Sequence, residues 1–114
     1  MSLSVTFKSL APREEVRRRA VALYGKLERF LDPSAEGTMV IAFEHGQIIS
    51  DIVVNARHAT FKATSEDPDL RTSIDRLMHT LEEQLRRAKG KRTERQRPEL
   101  QDEAFVREAA DGDD

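Results

Sequence analysis

Apolar and polar residues alternate in several short stretches of the chain, which is the pattern of β-strands with one buried face. The first stretch is LSVTFK at 3–8. Three further strand-like segments follow one another at 38–43, 48–54 and 59–64. The short gaps between these three segments favour antiparallel hairpins, and we expect a bulge or a loop longer than two residues at each turn.

A helical pattern separates the first strand from the other three. Apolar residues recur at spacings of three and four over 16–31, which predicts a helix with one buried stripe. Pro12 is expected at the first helical position. We expect the helix to end at Asp32-Pro33, because the residue before a proline avoids helical angles.

A second helical pattern closes the regular part of the chain. The motif SEDPD at 65–69 is typical of a helix start, with Asp67 as the expected cap. Apolar residues then recur at helical spacing over 70–88, and Gly90 is the expected end.

The predicted order is therefore β-α-β-β-β-α, an α+β fold with a four-stranded sheet. A helix between the first two strands implies a parallel crossover, and the later strands should be antiparallel. Each helix has one apolar stripe, so both should cover the same face of the sheet. The other face is expected to be exposed, with Lys8, Lys62 and Thr64 on it.

Charge is unevenly distributed along the chain. Its 114 residues are enough for one domain with a modest core, and its formal net charge is −2. Residues 1–97 hold 18 Lys and Arg against 14 Asp and Glu, whereas residues 98–114 hold one Arg against seven acids. A basic body followed by an acidic tail suggests a protein that binds polyanions.

No residue pattern supports catalysis or a bound cofactor. The chain has no cysteine, and His45, His58 and His79 have no metal-ligand spacing, so we expect them at the surface. The five glycines form no phosphate-binding loop. Neither a signal peptide nor an apolar run near the roughly 20 residues of a membrane span is visible. We expect a cytoplasmic protein that is not an enzyme and has no cofactor, metal or small-molecule substrate.

Basic residues flank both apolar helix stripes. They are densest in LEEQLRRAKGKRTERQR at 81–97, which holds seven Lys and Arg against three Glu. Pairs four residues apart, Glu82–Arg86 and Glu83–Arg87, explain part of this charge as helix stabilisation. They do not explain the later cations. The pattern alone leaves nucleic-acid binding and a solvated, charged helix face open.

Four stretches of the chain occur in the order found in a known family: KLERFLD at 26–32, SDIVVN at 50–55, DLRTSID at 69–75 and LEEQLRRAKGKR at 81–92. Together they resemble the short ribosome hibernation-promoting factor family. The ending DEAFVRE at 102–108, followed by acids, resembles the ribosome-associated inhibitor A (protein Y) branch of that family. The resemblance divides the chain into a ribosome-binding domain at 1–92 and a flexible, basic-then-acidic tail at 93–114. That tail is too short for the dimerisation domain of long family members.

The resemblance implies a fold akin to double-stranded-RNA-binding domains. It also implies binding to the small ribosomal subunit and its rRNA, in the channel of messenger and transfer RNA. Translation would be inhibited by occupancy, and idle ribosomes would be stabilised during stress or stationary phase. The free protein is expected to be a monomer. Carried over by position, the rRNA-binding residues are Arg17, Lys26, Arg29, Arg86, Arg87, Lys89, Lys91 and Arg92.

The chain departs from the family at the start of the second helix. The family usually has Asp-Met-Tyr there, and this chain has Asp69-Leu70-Arg71. Arg71 is therefore expected to contact a phosphate where the family has an aromatic ring. Two alternatives stay open: an RNA-binding module that acts on structured RNA without the ribosome, and a protein-interaction domain that uses the exposed sheet face.

Overall fold

The protein is described by a computed structural model that covers residues 1–95, with side chains as far as Gly90. Its elements follow the predicted order. They are β1 (Ser2–Lys8), α1 (Glu14–Gly25), β2 (Glu36–Glu44), β3 (Gln47–Asn55), β4 (Thr60–Asp67) and α2 (Leu70–Arg95). Most of the predicted tail, with its acidic part, lies outside the described residues.

The four strands form one mixed sheet in the order β1-β2-β3-β4. β1 runs parallel to β2, and the other two pairs are antiparallel, which confirms the predicted topology. The turn after β2 differs from the expectation of a longer loop. His45 and Gly46 alone join Glu44 to its partner Gln47, and both have positive φ (52° and 77°), as in a type I′ turn. The second hairpin has the expected longer loop, at 56–59.

Both helices pack on one face of the sheet, as predicted. Met39 and Ile52 from the strands and Leu77 and Leu81 from α2 are almost fully buried there. Full burial of such a side chain contributes about 1.5–3 kcal/mol to the stability of the domain. Lys8, Lys62 and Thr64 lie exposed on the opposite face, where the sequence predicts them.

The first helix is shorter than predicted. Its N-cap is Arg13, so Pro12 lies outside the helix, and α1 ends at Gly25. The chain continues in tighter turns, in which Leu27 N–H donates to Tyr24 C=O and Phe30 N–H donates to Leu27 C=O. Glycine is a weak helix former, which favours this change of geometry at Gly25. The apolar spacing still buries the side chain of Leu27, as the predicted stripe requires.

The second helix is longer than predicted. Asp69 is the cap, not Asp67: its Oδ2 accepts hydrogen bonds from the N–H and the hydroxyl of Thr72, at 2.9 and 2.7 Å. Asp67 instead accepts from Asp69 N–H in the preceding turn. Gly90 does not end the helix, which continues to Arg95. Its φ is not positive, and a glycine inside a helix costs only about 1 kcal/mol.

Close packing at Gly37 fixes β2 against α1. A Cβ atom at this position would lie 3.1 Å from Leu3 Cδ1 and equally close to Cζ and Oη of the buried Tyr24. The tyrosine ring therefore rests on the bare backbone of the strand, and a side chain at Gly37 would push it away.

Side chains of both helices also reach the backbone of the two outer strands. Arg17 Nη1 donates to the C=O of Val5 in β1 at 2.9 Å. Gln84 Nε2 donates to the C=O of Lys62 in β4 at 2.7 Å. These bonds, together with a buried hydroxyl contact between Ser50 and Ser73 at 2.9 Å, fix the rotation of each helix on the sheet.

Candidate nucleic-acid interface

Three cations lie around the aromatic ring of Phe30, where the turns that follow α1 meet α2. The ring centroid of Phe30 lies 4.8 Å from the guanidinium carbon of Arg29, 5.9 Å from that of Arg86 and 5.6 Å from Nζ of Lys89. Cations at such distances are attracted to the ring quadrupole. We call Arg29, Phe30, Glu82, Arg86 and Lys89 the Phe30 cluster.

The local structure explains why these side chains meet. Glu82, Arg86 and Lys89 are four and three residues apart on α2, so they project from one side of the helix. Arg29 and Phe30 lie in the tight turns that follow α1. Because α1 stops early, these turns present Phe30 half-buried beside α2.

The carboxylate of Glu82 lies between the two arginines of the cluster. Its Oε2 accepts hydrogen bonds from Nη2 and Nε of Arg86 at 2.7 and 3.1 Å, which confirms the predicted pair. Nη2 of Arg29 lies 3.6 Å from the same oxygen. The hydrogen bonds from Arg86 hold the pKa of Glu82 below its usual value, with further contributions from the charges of Arg86 and Arg29. The cluster thus carries three positive charges and one negative charge.

Another ion pair joins α1 to α2 directly. Nε and Nη2 of Arg19 donate to the two carboxylate oxygens of Asp75, both at 2.8 Å. The hydrogen bonds from Arg19 lower the pKa of Asp75 and those to Asp75 raise that of Arg19. The sequence does not predict this pair, because Arg19 and Asp75 are 56 positions apart and no local pattern connects them.

Asp32 anchors the segment that carries Arg29 and Phe30. Its carboxylate accepts from the hydroxyl and the N–H of Ser34 and, at 3.1 Å, from the N–H of Arg57 in the β3–β4 loop. The side-chain bond from Ser34 and the backbone bond from Arg57 lower the pKa of Asp32 from 3.8 to about 2. Asp32 therefore fixes where the cluster's first half sits relative to the sheet.

The other sequence-predicted cations are distributed around this cluster. Arg17 is engaged within the domain, because its guanidinium donates to Val5 and lies over the ring of Phe7 at 5.5 Å. Lys26 is exposed in the turns after α1 and Arg71 in the first turn of α2. Arg87 is exposed about 100° around α2 from Arg86, on the flank away from Phe30.

Lys91 and Arg92, the remaining members of the predicted set, belong to the helix. The expectation that they follow the helix end is wrong, because α2 includes both residues. Their side chains lie outside the described part of the structure. Along α2, the predicted cations from Arg71 to Arg92 span about 30 Å at 1.5 Å per residue.

This surface is suited to binding phosphates. It is formed by exposed arginine and lysine side chains, with one aromatic ring among them.

His45, His58 and His79 are exposed, as expected, and no group of three potential metal ligands occurs within residues 1–95. No helix in the same range is both long enough and apolar enough to cross a membrane.

The protein is an α+β domain with cations on the helical side of its sheet, a distribution of charge that suits a polyanion. The chain belongs to the Sigma 54 modulation protein / S30EA ribosomal protein family, whose sequence profile matches residues 3–93. The family resemblance predicted from the sequence is thereby confirmed.

Individual relatives agree with this assignment. The ribosome hibernation promoting factor of Escherichia coli K12 is 28% identical over 91 residues, which cover 80% of this chain and 96% of the relative. The same protein of Shigella flexneri matches equally well. The family therefore includes ribosome hibernation factors.

Solved structures show the same fold. The N-terminal domain of Thermus thermophilus Protein Y superimposes with a TM-score of 0.69 at 23% identity, over 76% of this chain and 98% of that domain. A ribosomal subunit interface protein from Coxiella burnetii gives 0.65 at 24% identity, over 79% and 99%.

Proposed function

We propose that the chain is a hibernation factor that binds the small ribosomal subunit in the channel for messenger and transfer RNA. Occupancy of that channel inhibits translation and stabilises idle ribosomes in the cytoplasm during stress or stationary phase. Family membership supports the ribosome as the partner. The observation that carries the proposal is the Phe30 cluster, because it joins α2 and the turns that follow α1 into one cationic surface.

In this mechanism the helix cations neutralise rRNA phosphates. RNA duplexes are recognised mostly by shape and backbone, because their deep major groove is inaccessible to side chains. A rigid helix fits this mode, since it presents cations at fixed intervals rather than in one patch. Lys26, Arg71, Arg87, Lys91 and Arg92 would extend the contact beyond the cluster, whereas Arg17 would contribute mainly to the fold.

The domain boundary belongs to the same proposal. Residues 1–92 form the ribosome-binding unit, and residues 93–114 form a tail whose acidic part competes with RNA for the basic helix or repels a second ribosome. The free protein acts as a monomer.

Sucrose-gradient sedimentation with purified subunits tests the proposal. The protein should migrate with the small subunit, not the large one, and high salt should release it. Replacement of Arg86, Arg87, Lys89 and Lys91 by Ala should abolish co-sedimentation and leave the circular-dichroism spectrum unchanged. Unchanged co-sedimentation of this variant would remove α2 from the binding surface.

Competition experiments separate the alternatives. Equal affinity for generic duplex RNA and for small subunits would favour an RNA-binding module without ribosome specificity. Binding that is insensitive to salt and to the α2 substitutions would favour a protein-interaction domain that uses the outer sheet face.

A further inference from the structure

Glu82 is the one acid inside the Phe30 cluster, and its contacts exceed those of a helix-stabilising pair. Such a pair requires only Arg86, four residues along α2. Arg29 comes from a different segment and reaches the same atom, Oε2. The side chain of Glu82 is only 31% exposed, whereas those of Arg29 and Arg86 are 59% and 58% exposed. The carboxylate is therefore set between two more accessible cations.

A carboxylate in this position resembles a bound phosphate. Guanidinium groups recognise both anions through the same planar N–H donors. Nε and Nη2 of Arg86 are already used by Glu82 Oε2, and Arg29 is attracted to that oxygen. A phosphate that binds both arginines must displace the carboxylate or tolerate its repulsion.

Other cations lie along the same helix. Lys89 contacts the ring of Phe30 from the next turn of α2, and Arg87 projects from the other flank of the helix. An RNA that places several phosphates along α2 at once can offset the displacement of Glu82 with contacts to these residues. An RNA with only one phosphate near the cluster makes no additional contacts along α2, so it cannot offset the displacement of Glu82.

We propose that Glu82 is a selectivity-determining residue, a built-in competitor that lowers binding to RNA whose phosphates do not match the whole helical surface. The inference rests on the proposed binding of small subunits. It assigns to Glu82 a loss of affinity for generic RNA and a gain in discrimination for the ribosomal site.

Glu82→Gln tests this inference, with Glu83→Gln as the matched control. Both variants remove one negative charge from neighbouring positions of α2, but Glu83 lies outside the cluster, 3.6 Å from His79. Affinities for a generic RNA duplex and for purified small subunits are measured by filter binding over a series of KCl concentrations. Glu82→Gln should tighten duplex binding about two- to five-fold more than Glu83→Gln does, the range in which exposed ion pairs act.

The same variant should also change the salt dependence. Without the charge of Glu82, Arg29 and Arg86 can contact a phosphate of the duplex. This contact should steepen the slope of log affinity against log salt for the duplex by up to about 0.9. The ratio of small-subunit affinity to duplex affinity should fall in Glu82→Gln, and it should fall less in Glu83→Gln.

Two results would overturn the inference. If Glu82→Gln weakens binding to both RNAs, the carboxylate organises the arginines instead of competing for them. If the two variants are indistinguishable, Glu82 acts only through net charge. Failure of the wild-type chain to bind small subunits would be a different result, because it would refute the proposed function before either variant is compared.

Discussion

Removal of the three cations around Phe30 should change the salt dependence of ribosome binding by a predictable amount. The change is a triple substitution of Arg29, Arg86 and Lys89 by Ala. If each cation neutralises one phosphate, the slope of log affinity against log salt becomes shallower by about 2.1 to 2.7, at 0.7–0.9 for each phosphate. Between 50 and 200 mM salt, the wild type should therefore lose about 20- to 40-fold more affinity than the variant.

The assay is filter binding of labelled protein to purified small subunits over a KCl series. The slope is a cleaner measure than a single affinity, because the substitution leaves Glu82 without its two arginines and so adds repulsion. The control variant replaces Lys8, Arg57 and Lys62, three exposed cations on the strands and the β3–β4 loop. It removes the same net charge from surfaces away from the helices.

The control should keep the wild-type slope to within about one phosphate equivalent. If both triple variants make the slope equally shallow, binding follows net charge and the Phe30 cluster is not a site. If the cluster variant keeps the wild-type slope, its cations do not face RNA phosphates. Thermal unfolding of both variants checks that the fold is retained.

Other properties of the chain lead to further predictions. Gly37→Ala should destabilise the domain by about 1–3 kcal/mol in thermal unfolding, because its Cβ would meet buried atoms, whereas Gly25→Ala has open space and should not. Gly90→Ala should stabilise α2 by about 0.5–1 kcal/mol, since glycine is costly inside a helix. Because the pKa of Asp32 is lowered to about 2, its contribution to stability is complete above about pH 4 and is lost as pH falls towards 2; Asp32→Asn should flatten this part of the curve. Deletion of residues 98–114 should tighten binding to RNA at low salt if the acidic tail competes for the helix.

Each of these predictions has a result that contradicts it. Equal melting temperatures for the alanine variants at Gly37 and Gly25 would show that Tyr24 yields to the added methyl group. A destabilised Gly90 variant would mean that the helix requires glycine there. An unchanged acid limb in Asp32→Asn would place the acid sensitivity on other acids whose pKa values are lowered, such as Asp69, Asp75 and Glu82. Unchanged RNA affinity after the deletion would make the tail passive in binding.

The sheet could be predicted from the sequence because its determinants are local. Alternation reports which face of a strand is buried, and helical spacing reports one stripe per helix. Element ends were harder to predict, because several signals compete at each one. At the start of α2 both Asp67 and Asp69 are possible caps, and only the backbone path shows that Asp69 bonds to Thr72. Gly90 has the residue type of a helix end but lacks the positive φ that such an end uses.

The site was predictable in composition but not in arrangement. The sequence marks Arg29, Arg86 and Lys89 as cations near apolar stripes, and the Glu82–Arg86 pair follows from helical spacing. Phe30 is predicted as part of the apolar stripe of the first helix, and no local pattern indicates that these cations lie around its ring. Contacts between residues more than 50 positions apart depend on how the two helices pack, which a periodic pattern does not encode.

The two hydrogen bonds from helix side chains to outer strands also bear on self-association. β1 and β4 are the edges of the sheet, and a bare edge offers backbone groups to which a strand of another molecule can add. Arg17 occupies the carbonyl of Val5 on one edge, and Gln84 occupies the carbonyl of Lys62 on the other. Each helix therefore removes one backbone acceptor from an outer strand, which disfavours strand addition there, and Arg17, predicted from the sequence as an RNA contact, has this role at β1.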